Sequence, residues 1–242
     1  PVAYMFDGQN LFEDEGTFSG GWHLHDVLEE RVEAELEVPL IIAIHHGMMR
    51  DEELCPWPAE PGQTPRADFL LHWIVTALHP FILENFPVLE GPEYTMIGGS
   101  SLGGLLSFYA FFKYPEVFGK ALVMSPSFWV GEGAIFDYVM RCSMISENCR
   151  LYIDCGVLED EEEEEDNEEG EEEEEEEADE DDSNDDDSSA FEDALSMVEL
   201  LSYKGLELGV HFLWNPDFQG LHNEFSWNQR LPLAMDFLYN DV

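Results

Sequence analysis

The sequence predicts an α/β fold in which a mostly parallel central sheet carries helices on both faces. Six short apolar segments alternate with amphipathic stretches along the 242 residues. The segments are apolar throughout, as parallel strands buried on both faces must be, and strand and helix patterns follow one another in strict rotation. A chain of this length can form one domain with a sizeable core.

The elements are assigned from local patterns in chain order. Strands are predicted for VAYMF (2–6), PLIIAIHH (39–46), YTMIGG (94–99), KALVMSP (120–126), RLYIDCG (150–156) and GVHFLWN (209–215). Apolar residues at helical spacing predict helices over 24–36, 67–86, 102–113, 189–204 and 227–239. Ser188 and Ser189 are candidate caps for the fourth helix.

One acidic stretch interrupts the rotation of strand and helix. Residues 159–187 hold 24 of the 55 acidic residues, whereas the whole chain has nine Lys and Arg. Mutual repulsion and the shortage of apolar side chains predict a disordered insertion at 159–189 within a single domain spanning 1–242. The net charge of −46 argues against nucleic acid and anionic membranes as partners. No apolar run is long enough to span a bilayer.

The cysteines do not suggest a metal site. Cys55, Cys142, Cys149 and Cys155 form no C-x-x-C pair, and no histidine follows at a spacing typical of zinc ligands. Cys142 and Cys149 could form a disulfide in an oxidising compartment, but buried free thiols are the preferred interpretation.

The segment IGGSSLGG (97–104) contains the pattern G-x-S-x-G with Ser101 at its centre. The pentapeptide is weak evidence alone, because small residues also allow a strand and a helix to pack closely. Here it follows a predicted strand and opens a predicted helix, as a nucleophile elbow requires. The Leu102 N–H at the helix start would face negative charge that develops beside Ser101.

A nucleophilic serine needs a general base and an acid that orients it, and in hydrolases built on such sheets these follow the serine in chain order. His222 lies after the last predicted strand, and the other seven histidines fit this order less well. Glu159, three residues beyond Gly156, is the preferred acid. Asp160 and Asp154 are the alternatives.

A second donor for the oxyanion is expected from the loop after the first strand. In FDGQNLF, the backbone N–H groups of Gly8 and Gln9 are candidates, since glycine permits close approach to a substrate oxygen. An ordinary Asp-Gly turn is the alternative.

Five sequence blocks in order resemble the Putative esterase family of α/β-hydrolases, which includes esterase D, enterochelin esterases and feruloyl or acetylxylan carbohydrate esterases. The blocks are YMFDGQNLF, HHGMMRDEELCPW, IGGSSLGGLLSFYAFFKYPEVFGKALVMSPSFW, YIDCGVLE and GLHNEFSWNQRL. The resemblance covers nearly the whole chain except 159–189, and it implies an α/β-hydrolase fold.

The resemblance also implies residue roles. Ser101 matches the family's nucleophile, His222 its general base and Glu159 its acidic position. Leu102 and the Gly8–Gln9 peptide match the oxyanion donors. Trp129 in SPSFW and Trp57 in the block around Arg50 and Glu53 would lie near the cleft, where they either line a substrate pocket or pack beneath it. No cofactor is implied, and the expected partner is a small-molecule or carbohydrate-linked ester.

Three features depart from the family pattern. The chain begins at what looks like the family's third strand, so the usual N-terminal strands are missing. His45 and His46 stand where related sequences often have Asp-Asn. The acidic run adjoins Glu159, which leaves the choice of acid open.

The leading hypothesis is a serine esterase that forms an acyl-enzyme intermediate. An acyltransferase of the same fold is one alternative. The other is a non-catalytic acidic protein that binds Ca²⁺ loosely or attracts a basic partner through residues 159–187. The run lacks D-x-D-x-D-G spacing, so a solvated insertion without a specific site is favoured.

Overall fold

The computed structural model describes residues 1–14, 20–143, 148–159 and 189–240. Six strands form one sheet in the order β2-β1-β3-β4-β5-β6, and every neighbouring pair is parallel. The strands are β1 Val2–Met5, β2 Leu40–Ala43, β3 Thr95–Ser101, β4 Lys120–Pro126, β5 Arg150–Gly156 and β6 Phe212–Asp217. The predicted parallel α/β sheet is confirmed.

The described helices cover both faces of this sheet. They are α1 Leu24–Glu33, α2 Arg50–Leu54, α3 Ala67–Trp73, α4 His79–Asn85, α5 Leu102–Lys113, α6 Val130–Arg141, α7 Ala190–Tyr203 and α8 Glu224–Tyr239. A π-helical segment, Ile74–Leu78, joins α3 to α4. The helix predicted over 67–86 is therefore present with a local change of hydrogen bonding.

Two apolar layers hold the helices to the sheet. Val2 and Tyr4 of β1 belong to the larger core, which lies beneath helices α2 to α7. Ala3 and Met5 belong to a second core beneath α1 and α8. Side chains alternate between the two faces of a strand, and both faces of β1 are buried, so all four of its residues are apolar or aromatic.

The last strand begins later than the sequence pattern suggests. Residues 209–211 were predicted as strand, but Gly209 has a positive φ of 79°, and the N–H groups of Val210 and His211 donate to the Glu207 carbonyl at 3.1 and 2.8 Å. These residues form a turn, and β6 starts at Phe212. The prediction for 209–211 was wrong because the glycine reverses the chain there.

The parallel arrangement brings the carboxyl ends of all six strands to one edge of the sheet, hereafter the carboxyl edge. The opposite edge is called the amino edge. Of the predicted insertion, Glu159 and Ser189 are described, and residues 160–188, including the alternative acid Asp160, lie outside the described residues. Within the described ranges, no helix has both the length and the apolar character needed to cross a bilayer.

Candidate active site

Ser101 lies on a strained turn between β3 and α5. Its φ of 56° and ψ of −125° are unfavourable for a residue with a side chain. Glycines make the turn possible: a Cβ on Gly99 would lie 2.9 Å from the Gly103 carbonyl carbon, and one on Gly103 would lie 3.2 Å from Phe6 Cβ. The strand–turn–helix geometry that the motif predicts is present, with Ser101 at its apex.

The Ser101 side chain contacts the loop that follows β4. Its Oγ lies 3.3 Å from the hydroxyl oxygen of Ser127, and the Ser127 N–H donates to the Ser101 carbonyl at 3.2 Å. The N–H of Leu102, the first residue of α5, makes no hydrogen bond within the described residues. A donor at a helix N-terminus is therefore available next to Ser101.

His222 is paired with Glu159. Its Nδ1 lies 3.0 Å from Glu159 Oε2, and the carboxyl side chain is 2% exposed, whereas the imidazole is 28% exposed. The His222 ring stands edge-on to Trp227 at 5.3 Å between centroids. Since Nδ1 faces the carboxylate, Nε2 is left for a second partner.

Glu159 is held by a dense set of donors. Ser125 Oγ donates to Glu159 Oε1 at 2.5 Å, the Gly156 N–H donates to the same oxygen at 2.6 Å, and Arg230 Nη2 lies 3.4 Å from it. Burial acts to raise the pKa of Glu159, but the hydrogen bonds from His222 and Ser125 and the Arg230 charge outweigh it and hold the pKa below its ordinary value. Glu159 is therefore ionised and able to pair with an imidazolium.

Arg230 of α8 is the buried cation of this cluster. Its guanidinium donates to Ser125 Oγ at 3.1 Å and lies 3.5 Å from Asp154 Oδ1 as well as next to Glu159. The Trp227 indole N–H also donates to Ser125 Oγ, at 2.9 Å. One hydroxyl thus links the last helix to the acid that contacts His222.

Asp154, the other acid described, is placed differently. It is fully buried, accepts a hydrogen bond from the Ser125 N–H at 3.1 Å, and leaves Oδ2 without a partner in the described structure. Burial raises the pKa of Asp154 to about 7. The negative charge of nearby Glu159 also raises this pKa, whereas the positive charge of Arg230 lowers it. It makes no contact with His222, so of the two described acids Glu159 is the one that meets the histidine.

The structure brings Ser101 and the Glu159–His222 pair to the same edge without a direct hydrogen bond between Ser101 and His222 in the described residues. Ser101 lies opposite Pro126 in the β3–β4 register, next to Ser125, which bonds Glu159. Hydrogen bonds between a catalytic nucleophile and its base are often long or open before a substrate binds.

The structure separates the two oxyanion candidates of the first loop. The Gly8 N–H donates to the Ile44 carbonyl at 2.9 Å and is therefore occupied, whereas no hydrogen bond holds the Gln9 N–H within the described ranges. A Cβ on Gly8 would lie 2.7 Å from the backbone of Ala43, so its glycine serves close packing. The Gly8 N–H thus already has a partner within the protein, and Gln9 is the candidate of the two whose N–H has none among the described residues.

The loop after β2 is fixed to the first loop by ion pairs. Arg50 donates two hydrogen bonds to Asp7, from Nε to Oδ1 at 2.9 Å and from Nη2 to Oδ2 at 2.8 Å. Glu53 accepts from the Gly47 N–H at 2.7 Å, and His46 Nε2 lies 3.9 Å from Asp7 Oδ1. Arg50 and Glu53 therefore shape this side of the carboxyl edge.

The two candidate substrate-binding tryptophans differ in exposure. Trp57 packs edge-on against Tyr109 and Tyr138, at 5.3 and 6.1 Å between ring centroids. These contacts favour the alternative in which Trp57 packs beneath the cleft. Trp129 directly precedes α6 and is 54% exposed. Trp129 is therefore the more exposed of the two.

Other reactive side chains lie outside this cluster. All four cysteines are free thiols. Among the described residues, His23, His25 and Asp26 at the start of α1 place ligand atoms within 4.8 Å of one another, close enough for a metal ion.

Sequence reasoning did not assign roles to Ser125, Trp227 or Arg230. They lie in the blocks KALVMSPSFW and GLHNEFSWNQRL, but no local spacing connects a serine to an arginine 105 positions away. A single arginine among the apolar residues of the last helix is the one signal that could have identified part of this cluster.

Comparison with known proteins decides the family. A family model described as "Putative esterase" matches residues 1–238. The chain belongs to the Putative esterase family. Its resemblance to this family is therefore confirmed over almost the whole sequence.

Curated relatives match over shorter stretches. The uncharacterized protein YbbA of Bacillus subtilis is 31% identical over 140 residues, which are 55% of this chain and 52% of that protein. The iron(III) enterobactin esterase of Escherichia coli K12 is 29% identical over 99 residues, 38% of this chain and 24% of the enzyme. The matched part thus spans about half of the first relative and about a quarter of the second.

Solved structures show the same fold. The BES protein from Bacillus cereus has a TM-score of 0.69 at 17% identity, covering 100% of this chain and 83% of that one. The enterobactin esterase FES from Shigella flexneri scores 0.65 at 21% identity, covering 98% and 52%. The siderophore hydrolase EstA from Aspergillus nidulans also scores 0.65, at 20% identity, covering 98% and 82%. These likenesses show a shared α/β fold, and together with the family match they agree with the predicted α/β-hydrolase fold.

Proposed function

We propose that this chain is a serine carboxylic-ester hydrolase with Ser101 as nucleophile, His222 as general base and Glu159 as the acid. The observation that carries the proposal is the hydrogen bond between His222 Nδ1 and the buried Glu159, at the sheet edge where the strained turn presents Ser101. The esterase family and its hydrolase neighbours support the same reaction class.

In the first half-reaction, Ser101 Oγ attacks the ester carbonyl carbon while His222 Nε2 accepts the hydroxyl proton. The imidazolium that forms is stabilised by the Glu159 carboxylate across the Nδ1–H bond. The carbon–oxygen bond of the ester then breaks, and the same proton passes from His222 to the leaving alcohol. The product is an acyl-serine.

The negative charge on the carbonyl oxygen needs donors during this step. The Leu102 N–H lies at the start of α5, where the helix dipole adds to its effect. The Gln9 N–H is the second proposed donor. Removing one such donor commonly slows an enzyme on the order of 10²–10³-fold.

In the second half-reaction, water replaces the alcohol. His222 removes a proton from the water, the hydroxide attacks the acyl carbon, and the Ser101–acyl bond breaks as the proton returns to Ser101 Oγ. The carboxylic acid leaves and the enzyme is restored. The proposed substrate is a small-molecule or carbohydrate-linked ester, with Trp129 as a contact.

Hydrolysis of p-nitrophenyl acetate by Ser101→Ala tests the proposal. We expect kcat/KM to fall by at least about 10³-fold, because the nucleophile is lost while the remaining site is intact. Ser100→Ala is the matched control, since Ser100 is the neighbouring buried serine of β3, and it should keep most of the activity. Unchanged hydrolysis by Ser101→Ala would remove Ser101 as nucleophile.

A further inference from the structure

The positions of the basic residues carry an inference about the substrate. All nine Lys and Arg residues of the chain lie in the described ranges. In a parallel α/β sheet, strands begin and returning helices end at the amino edge, away from the site. Six of the nine basic residues are found at such positions: Arg31, Lys113, Lys120, Arg141, Arg150 and Lys204.

The three remaining basic residues are at the carboxyl edge, and each is paired with a carboxylate. Arg50 forms a two-bond pair with Asp7, and Arg66 Nε lies 3.0 Å from Glu52 Oε2. Arg230 is 4% exposed and surrounded by Asp154, Glu159 and Ser125. No Lys or Arg at this edge is therefore without a carboxylate partner.

Exposed negative charge is also present at the same edge. Asp51 on α2 and Glu132, three residues after Trp129, are exposed. In addition, the acid-rich stretch is joined to the chain at Glu159, which follows β5, and at Ser189, which caps α7. Between these two points the sequence contains 23 further acidic residues.

We infer that this site selects uncharged or cationic esters and discriminates against anionic ones. The inference rests on the proposed esterase function and adds the charge of the substrate. A cleft lined by one sign of charge raises the local concentration of opposite charges and lowers that of like charges, which changes association rates about 10–10³-fold at low salt. Discrimination should appear in kcat/KM and weaken as salt screens the field.

Three acetate esters of the same shape test the charge preference. They are 3-acetoxybenzoate (anionic), 3-acetoxybenzamide (neutral) and 3-acetoxy-N,N,N-trimethylanilinium (cationic). The meta position keeps the charged group from attacking its own ester. Each kcat/KM is divided by the imidazole-catalysed rate of the same ester, because imidazole is uncharged and this ratio removes differences in intrinsic reactivity.

We expect the corrected kcat/KM to be lowest for the benzoate, at least about tenfold below the benzamide in about 10 mM salt, and highest for the anilinium. In about 0.5 M NaCl the three values should converge to within about threefold. A benzoate hydrolysed as well as the benzamide at low salt would overturn the inference while leaving the esterase proposal standing. If none of the three esters is hydrolysed, both the charge inference and the esterase proposal are overturned.

Charge-reversal variants test whether the discrimination against anionic esters arises at the carboxyl edge. The double variant D51K/E132K replaces two exposed acids at that edge, and we expect it to reduce the penalty on the benzoate at least about threefold. The matched control E116K/E207K makes the same change in net charge with exposed residues at the amino edge. An equal effect of the two double variants would contradict an origin at the site.

Discussion

Glu159 and Asp154 are two buried carboxyl groups with opposite electrostatic surroundings. Glu159 accepts hydrogen bonds from Ser125, the Gly156 backbone and His222, so its charge is satisfied and its pKa is lowered. Asp154 has one oxygen without a partner, and burial raises its pKa to about 7. Neighbouring acids of the same chain are thus suited to different roles.

Replacing Glu159 tests its part in the proposed mechanism. In Glu159→Gln the amide cannot stabilise an imidazolium at His222, so we expect kcat to fall on the order of 10³–10⁴-fold with little change in KM. Asp154→Asn is the control, since Asp154 does not touch His222, and it should lower kcat less than about tenfold. A larger loss in Asp154→Asn than in Glu159→Gln would reverse the assignment.

The raised pKa of Asp154 should also make the unfolding free energy of the protein depend on pH. Its pKa is about 7 in the folded protein and 3.8 as the ordinary value, so between these pH values the folded protein binds more protons than the unfolded chain. Its contribution to the unfolding free energy therefore falls as the pH rises from about 4 to about 7, by at most about 1.4 kcal/mol per pH unit.

Asp154→Asn removes this titration. The difference in unfolding free energy between variant and wild type should shift in favour of the variant as the pH rises through that window and then remain constant. Urea unfolding at several pH values measures both quantities. A difference that is independent of pH would show that Asp154 is not perturbed as described.

Helix α8 acts as the support of the acid. It supplies Arg230 and Trp227, whose donors meet at Ser125 Oγ, and it follows the loop that carries His222. Ser125 itself has a positive φ of 41°, which aims its hydroxyl at Glu159. The helix therefore fixes the geometry of a residue on a different element.

Arg230→Met should raise the pKa of Glu159, because the carboxyl loses its nearby cation. The acidic limb of the pH profile of kcat/KM is then expected to move to higher pH, and the unfolding free energy to fall by about 3–5 kcal/mol because two buried carboxyls lose their partner. Arg230→Lys keeps the positive charge, so the acidic limb of its kcat/KM profile should lie at the same pH as in the wild type. A folded Arg230→Met enzyme with an unchanged limb would exclude a positioning role.

The elements that sequence patterns predicted well are those buried on two sides. β3, β4 and β5 are buried along almost their whole length, between the two layers of helices. The short α2 (RDEEL) has no apolar stripe, and α6 is interrupted by positive φ values at 131–133, so neither was predicted. Local patterns fail where an element is too short or too irregular to show a period.

The candidate site was predicted in outline for a similar reason. A motif and chain order indicated Ser101, His222 and Glu159, because the chemistry requires these residue types after particular strands. The contacts of Ser125 and Arg230 join β4 to the last helix, and no short-range pattern encodes them. The sequence also could not show that the Gly8 N–H is occupied, because its partner Ile44 lies in the loop after a neighbouring strand.

The charge of the whole chain should make stability depend on salt. With a net charge of −46, self-repulsion opposes the compact state, so we expect the Tm to rise by several degrees between about 10 mM and about 0.5 M NaCl. Replacing the 22 acids of residues 161–187 with Asn and Gln keeps the loop length and should reduce this rise. An equal rise of the Tm in both proteins would mean that the repulsion arises elsewhere in the chain.

The dependence of Glu159 on Arg230 has a consequence for how the protein is made. Synthesis proceeds from the N-terminus, so β3, α5 and β5 emerge before the helix that carries the compensating cation. Until α8 docks, Asp154 and Glu159 cannot be buried together without a large electrostatic penalty. Joint burial of the two carboxyl groups should therefore wait for the docking of α8 and its Arg230.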